Sequence, residues 1–80
     1  MIVWGTVLES KPIARTVFGP EYRVQWDANP DAKSMDGRAG TALGHHAVVL
    51  QQGDRVMLEY RVGPGHFYGL WFIAAKLENL

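Results

Sequence analysis

Aromatic and basic side chains recur along the chain at positions where they could meet a ligand together. Phe67 and Tyr68 lie in a glycine-rich stretch that gives them no periodic reason to point inward. Single-stranded nucleic acid is held by rings that stack on its bases, at about 1–3 kcal/mol per base, and by cations that follow its phosphates. The predicted nucleic-acid-binding residues are Trp4, Arg15, Phe18, Arg23, Arg61, Phe67, Tyr68, Trp71 and Lys76.

Aromatic residues also serve the hydrophobic core of a small protein, since few other side chains bury as much area. Four of them fall where strand periodicity or an apolar run favours burial, and we predict that these are core residues: Tyr22, Trp26, Tyr60 and Phe72.

Catalytic and metal-binding patterns are not found in the sequence. His45 and His46 are adjacent, so on an extended strand they would point to opposite faces, and no cysteine completes a metal site with them or with His66. The sequence has no nucleophile elbow, no Walker loop and no zinc-protease helix. We therefore predict a protein that is not an enzyme, with no catalytic residues, no metal and no cofactor.

The charge balance limits the kind of nucleic-acid binding to expect. Eight Lys and Arg residues match eight Asp and Glu residues, so no whole-chain positive field attracts a polyanion. Binding should therefore be modest and weaken as salt rises. Glu59 and Arg61 stand two apart on one strand and are predicted to form a solvated ion pair, worth at most about 1 kcal/mol.

Length and composition predict one domain over residues 1–80. A chain of 80 residues without cysteine holds one small core and has no disulfides to support it. Closure of a barrel, or pairing into a homo-oligomer, would compensate. The N-terminus lacks the pattern of a signal peptide and no apolar stretch approaches the roughly 20 residues of a membrane span, so we predict a cytoplasmic protein without a membrane partner.

The candidate residues fall on short apolar runs separated by glycine and proline, which predicts strands and turns. Gly5 is expected to form a bulge or a bend in the first run. In the second run Tyr22, Val24 and Trp26 should face inward, and in the fourth Val56, Leu58, Tyr60 and Val62 should do so. A tight turn is predicted at residues 51–54. The predicted strands span residues 2–9, 14–26, 47–50, 55–62 and 70–77, with one long loop over 28–44. The fold class is all-β, a small five-stranded barrel with one long central loop.

The end of the chain resembles the last two strands of oligonucleotide-binding (OB) folds of the cold-shock and single-stranded-DNA-binding kind. The similar residues are Leu50–Tyr60, with its Gly-Asp-Arg-Val turn, the Gly-Pro-Gly loop and Gly69–Glu78; Trp4–Val7 looks like the first strand. This resemblance implies an OB-type barrel that binds single-stranded DNA or RNA. The aromatic RNA-binding motifs of the cold-shock proteins have no good match, although residues 17–22 occupy roughly their place.

A shorter resemblance points elsewhere. Gly5-Thr6-Val7 followed by Tyr22–Asp27 is similar to the pattern of SH3-like and Tudor-like barrels. It implies a protein-interaction or self-assembly module. The main expectation is binding of single-stranded nucleic acid across the first three strands, flanked by the loops 28–46 and 63–69, and the SH3-like module is its alternative.

Overall fold

The computed structural model of the protein describes residues 2–27, 37–63 and 69–77. Regular structure in these residues consists of strands, in agreement with the predicted all-β class. The strands are β1 (Ile2–Val7), β2 (Ala14–Thr16), β3 (Gly19–Trp26), β4 (Ala39–Leu43), β5 (Arg55–Val62) and β6 (Gly69–Lys76). None of these residues belongs to a helix that could cross a membrane.

Five of the strands close into a barrel, which confirms the predicted fold class. β1 pairs antiparallel with β5 through residues 2–6 and with β3 through residues 5–7, so one strand bridges the two halves of the sheet. The ring continues from β5 to β6, β4 and back to β3. β2 is additional and pairs antiparallel with the first part of β3, where Ala14 pairs with Glu21 and Thr16 with Gly19.

Gly5 allows the strands to approach closely at this junction. Its pairs, with Trp26 on β3 and Val56 on β5, continue without a register shift, so the predicted bulge at this position is wrong. A Cβ at Gly5 would lie 2.8 Å from side-chain carbons of both Leu58 and Val24. The glycine is therefore needed for space, and a register shift lies instead between Met57 and Leu58 of β5.

Apolar side chains from β1, β3, β4 and β5 fill the barrel. The predicted inward face of β3 is confirmed, since Tyr22, Val24 and Trp26 are all buried. The core cluster consists of Val7, Tyr22, Val24, Trp26, Ala42, Leu50, Val56 and Leu58.

Tyr60 and Val62 depart from the predicted inward face of β5. Val56 and Leu58 are completely buried, but Tyr60 is 42% exposed and Val62 is 47% exposed. The reason is the register: β5 pairs with β1 as far as Glu59, and beyond it pairs with β6 alone among the described residues. Phe72 is also not a core residue. It is partly buried, whereas its neighbours Trp71 and Ile73 pack against the core.

The strand predicted at residues 47–50 is wrong, and β4 takes its place. β4 lies inside the predicted loop 28–44 and pairs with β3 from Gln25–Ala39 to Glu21–Leu43. Its Ala-Gly-Thr-Ala sequence has low strand propensity, so the hydrogen-bonded partner and not the local sequence defines the strand. In residues 47–50 Leu50 alone is buried. The central connection is thus interrupted by a strand, and residues 28–36 lie outside the described structure.

The turn predicted at residues 51–54 is confirmed. Asp54 accepts a hydrogen bond from the backbone N–H of Gln51 through Oδ2 at 2.8 Å, and its own N–H donates to the Gln51 carbonyl at 3.0 Å. Gly53 adopts φ of 92°, a conformation that favours glycine. The turn sets the start of β5.

Candidate functional site

The seam between β4 and β6 has the fewest residue pairs of the described junctions in the barrel wall. In the described structure these strands meet through one parallel bridge, between Leu43 and Phe72. A groove of about 460 Å³ runs along the outside of this seam. We call it the seam groove. The residues that line it include Phe18, Leu43, Val48, Arg61, Phe72 and Lys76.

Phe18 stands at the centre of this surface. It is 52% exposed and lines two smaller depressions as well as the seam groove. One of these depressions, of about 130 Å³, also contains Leu70 and Trp71. The turn that carries Phe18 is held by Thr16, whose hydroxyl donates to the Gly19 carbonyl at 2.8 Å and accepts from the Phe18 N–H at 3.1 Å. The ring is therefore presented from a fixed turn.

Arg61 lies over an aromatic ring of the groove. Its guanidinium carbon is 4.9 Å from the centroid of the Phe72 ring, which is cation–π geometry. Its Nε donates a hydrogen bond of 2.7 Å to Glu59 Oε1, so the predicted Glu59–Arg61 ion pair is confirmed. Neighbouring strands thus place a planar cation and a ring together on the surface.

Lys76 brings a second cation to the groove. Its Nζ lies 3.4 Å from Asp54 Oδ2, and the side chains are 29% and 16% exposed. The same carboxylate receives the Gln51 N–H. Lys76 is therefore anchored by the turn before β5, and its side chain remains partly exposed.

The two histidines beside the groove are not arranged as expected. Their rings lie 5.7 Å apart, because residues 44–47 turn instead of forming the extended strand that would separate adjacent side chains. His45 lines the groove, and its Nδ1 accepts the N–H of Ala47 at 3.1 Å. The described residues contain no group of three or more His, Cys, Asp or Glu placed to hold a metal ion. His66 lies outside the described residues.

A ladder of three aromatic rings leads from the surface into the core. The Tyr60 and Trp71 rings are 5.2 Å apart, and the Trp71 and Trp26 rings are 5.5 Å apart and nearly perpendicular. Trp71 is thus half-buried against the core and reaches the surface next to Phe18. The buried indole Nε1 of Trp26 has no hydrogen-bond partner that the described residues supply.

The structure brings together part of the predicted residue set. Phe18, Arg61 and Lys76 share the seam groove, and Trp71 lies in the adjoining depression. Trp4, 40% exposed on β1, does not line the groove.

The remaining predicted residues lie elsewhere. Arg23 is 3.7 Å from Glu9 and Arg15 pairs with Pro20 in the β2–β3 ladder, and neither lines the groove. Phe67 and Tyr68 lie outside the described residues.

Sequence reasoning missed Phe72, Leu43 and Val48 as residues of the groove. Alternation in β6 could have found Phe72: if Trp71 and Ile73 face the core, the residue between them faces out. No signal in the sequence could have found the others, because they meet the groove through the β4–β6 contact, which joins segments distant in the chain.

Arg55 has a structural role. It donates hydrogen bonds to both carboxylate oxygens of Asp27, at 2.7 and 2.5 Å, and to Thr6 Oγ1 at 2.9 Å. These bonds lower the pKa of Asp27, and the Asp27 carboxylate raises the pKa of Arg55, while desolvation opposes both changes. The pair joins the end of β3 to the start of β5.

Comparison with known proteins adds no assignment to this geometry. No protein-family model, curated protein or solved structure matches the chain significantly.

Proposed function

We propose that the protein binds single-stranded DNA or RNA in the seam groove and catalyses no reaction. The observation that carries this proposal is the position of Arg61 over Phe72, with the half-exposed Phe18 lining the same groove. Aromatic rings and cations together hold single-stranded nucleic acid. Every base has a face that can stack on a ring, and every nucleotide has a phosphate that a cation can bind.

The order of the barrel strands, β1-β5-β6-β4-β3 with β3 paired back to β1, supports an OB-type barrel. In such folds the ligand lies on the second and third barrel strands, between the loop that joins strands one and two and the loop that joins strands four and five. Here the first of these connections carries Phe18, and the second follows Val62 and Gly63. Phe18, Val62 and Gly63 line one depression of about 220 Å³ together with Arg61 and Phe72. This depression lies between the two loops that flank the ligand in an OB-type barrel, and it shares Phe18, Arg61 and Phe72 with the seam groove, which supports the proposal.

The charges of the groove favour a modest, salt-sensitive affinity. Arg61 and Lys76 each have a carboxylate partner, Glu59 and Asp54 respectively. A bound phosphate must compete with those partners, and the chain has no net charge to attract the ligand from a distance. Stacking should therefore contribute a larger share of the affinity than charge does.

The test is anisotropy of a fluorescein-labelled oligothymidylate and oligouridylate, each of about 12 nucleotides, a length within the roughly 4–16 that one such domain covers. We expect saturable binding that weakens as salt rises. Phe18→Ala should weaken it about tenfold or more, given about 1–3 kcal/mol per stacked base. Val17→Ala is the matched control, because Val17 is 93% exposed in the same turn. Equal affinities for these two variants would remove Phe18 from the site.

A second candidate function, peptide docking or self-assembly by strand addition, is favoured by the edge of β6. After Phe72, residues 73–76 have no strand partner on the β4 side among the residues that the structure describes. Val48 and Val49, on the segment after β4, are 42% and 72% exposed. An unpaired strand edge next to exposed apolar side chains is a surface to which an extended chain can pair. A mass that rises with protein concentration, without any response to oligonucleotide, would favour this candidate.

A further inference from the structure

On the outer surface of β5 and β6, three neighbouring side chains interact: Glu59, Arg61 and Phe72. Glu59 is the cross-strand neighbour of Phe72, and Arg61 follows Glu59 on the same face of β5. The guanidinium bonds the Glu59 carboxylate and covers the Phe72 ring at the same time. The two groups most suited to a nucleotide, a cation and a ring, are therefore already occupied by one another and by a carboxylate.

We propose that Glu59 limits the affinity of the seam groove by holding Arg61 over Phe72 until a ligand phosphate replaces the carboxylate. This inference rests on the proposed function and identifies a residue that regulates the same site. Glu59 is a positioning residue, since it acts on the ligand through Arg61.

The exposure of the pair makes this exchange feasible. The side chains of Arg61 and Glu59 are 56% and 34% exposed, so water screens their attraction and replaces their hydrogen bonds at small cost. A phosphate offers Arg61 the same kind of charge-assisted hydrogen bond as the carboxylate. As the guanidinium leaves the Phe72 ring to follow the phosphate, the ring face becomes open to a base.

Glu59 also opposes the ligand directly. Once Arg61 has turned to the phosphate, Glu59 is left as an unpaired negative charge on the same surface, and like charges across an interface weaken binding. Loss of the Glu59 charge should therefore strengthen binding both by releasing Arg61 in the free protein and by removing this repulsion in the complex.

Glu59→Gln tests the proposal because it removes the charge and retains a side-chain oxygen that can accept from Arg61. Glu9→Gln is the matched control: it removes the same charge from an ion pair, with Arg23 at 3.7 Å, that does not line the groove. Arg61→Met and the double variant complete a thermodynamic cycle. Circular dichroism checks that each variant is folded, and the probe is the labelled oligothymidylate at low salt.

We expect Glu59→Gln to bind about three- to tenfold more tightly than the unmodified protein and Glu9→Gln to change affinity less than twofold, since close charges act more strongly than distant screened ones. In the Arg61→Met background the gain from Glu59→Gln should be smaller, because only the direct repulsion of the ligand remains to be removed. An unchanged or weaker affinity of Glu59→Gln, beside normal binding by the unmodified protein, would overturn the inference and leave the proposed function standing. An equal gain in the Arg61→Met background would also overturn it. Absence of binding by every variant would reject both proposals.

Discussion

Arg55 and Asp27 connect the end of β3 to the start of β5 by a bidentate ion pair, in which the two guanidinium nitrogens lie 2.7 and 2.5 Å from the two carboxylate oxygens. The connection spans strands that are not neighbours in the sheet, because β1 lies between them. Thr6 of that intervening strand receives a third bond from Arg55. One arginine thus links three strands at the end of the barrel.

This pair predicts a pH-dependent contribution to stability. The hydrogen bonds from Arg55 lower the pKa of Asp27 in the folded protein. The contribution is therefore present above the unfolded pKa, about 3.9, and is lost as the pH falls through the lower folded value. We expect Asp27→Asn to destabilise the protein at neutral pH by about 0.2–1 kcal/mol, the range measured for exposed pairs.

Urea unfolding at several pH values between neutrality and about 2.5, below the unfolded pKa of Asp, measures this effect. The difference between Asp27→Asn and the unmodified protein should shrink as Asp27 becomes protonated. Glu9→Gln is the control, because the longer Glu9–Arg23 contact of 3.7 Å should contribute little. A difference that stays constant down to the lowest pH would show that Asp27 acts by packing and not by charge.

Gly5→Ala should be among the most destabilising single changes in the barrel. The new Cβ would lie 2.8 Å from carbons of Leu58 and Val24 and 2.9 Å from the Gln25 carbonyl oxygen. Because a backbone oxygen and two buried side chains surround it, overpacking should reduce the free energy of unfolding by about 1–3 kcal/mol or more.

Gly53→Ala provides the comparison, measured in the same chemical unfolding series. No atom lies within 4 Å of a Cβ at Gly53, so the strain comes from its φ of 92° alone. The cost of a left-handed conformation is about 1–2 kcal/mol. If Gly5→Ala were no more harmful than an alanine at an open surface position, the close approach of the three strands would be wrong.

The salt dependence of binding should identify Arg61 as a phosphate contact. Replacing a residue that neutralises one phosphate reduces the slope of log affinity against log salt by about one. We expect this for Arg61→Met and no change of slope for Arg38→Met, since Arg38 is exposed and does not line the seam groove. Anisotropy titrations at about four or five salt concentrations give the slopes. Identical slopes for the two variants would place the phosphates elsewhere.

The three tryptophans should respond differently to a ligand in the groove. Trp26 is buried, Trp4 is exposed on β1, and Trp71 reaches the depression beside Phe18. We expect oligonucleotide to quench Trp71 and expect Trp71→Phe to remove most of the quenching. Trp4→Phe is the counterpart that should retain it. Quenching that disappears with Trp4 and persists without Trp71 would move the site to the outer face of β1.

Pattern alone predicted the parts of the fold in which periodicity reflects burial. The alternation through Tyr22, Val24 and Trp26 predicted the inward face of β3, and the residues around Gly53 predicted the turn before β5. Tyr60 continued the alternation of Val56 and Leu58 in β5 and was misplaced, because its exposure depends on where β1 ceases to pair with β5. Periodicity reports which residues share a face and does not report how far that face is covered.

β4 and the groove could not be predicted for a related reason. Ala39–Leu43 has little strand propensity of its own and is a strand because β3 pairs with it along its whole length. The valines at 48 and 49 have high strand propensity and find no such partner in the described structure. The groove in turn depends on the contact between Leu43 and Phe72. Because the segment that forms β4 was predicted to be a loop, the residues on that side of the groove could not be predicted.

Because Leu43 and Phe72 form the single bridge described between β4 and β6, we expect the barrel to open locally at this seam. Both residues close the wall and also form the floor of the groove. A molecule seated there contacts both sides of the seam, so its binding energy must oppose separation of the two strands. Amide hydrogens near this seam should exchange with solvent deuterium faster than those of the β1–β5 ladder and become protected on loading, which makes occupancy measurable without any label on the ligand.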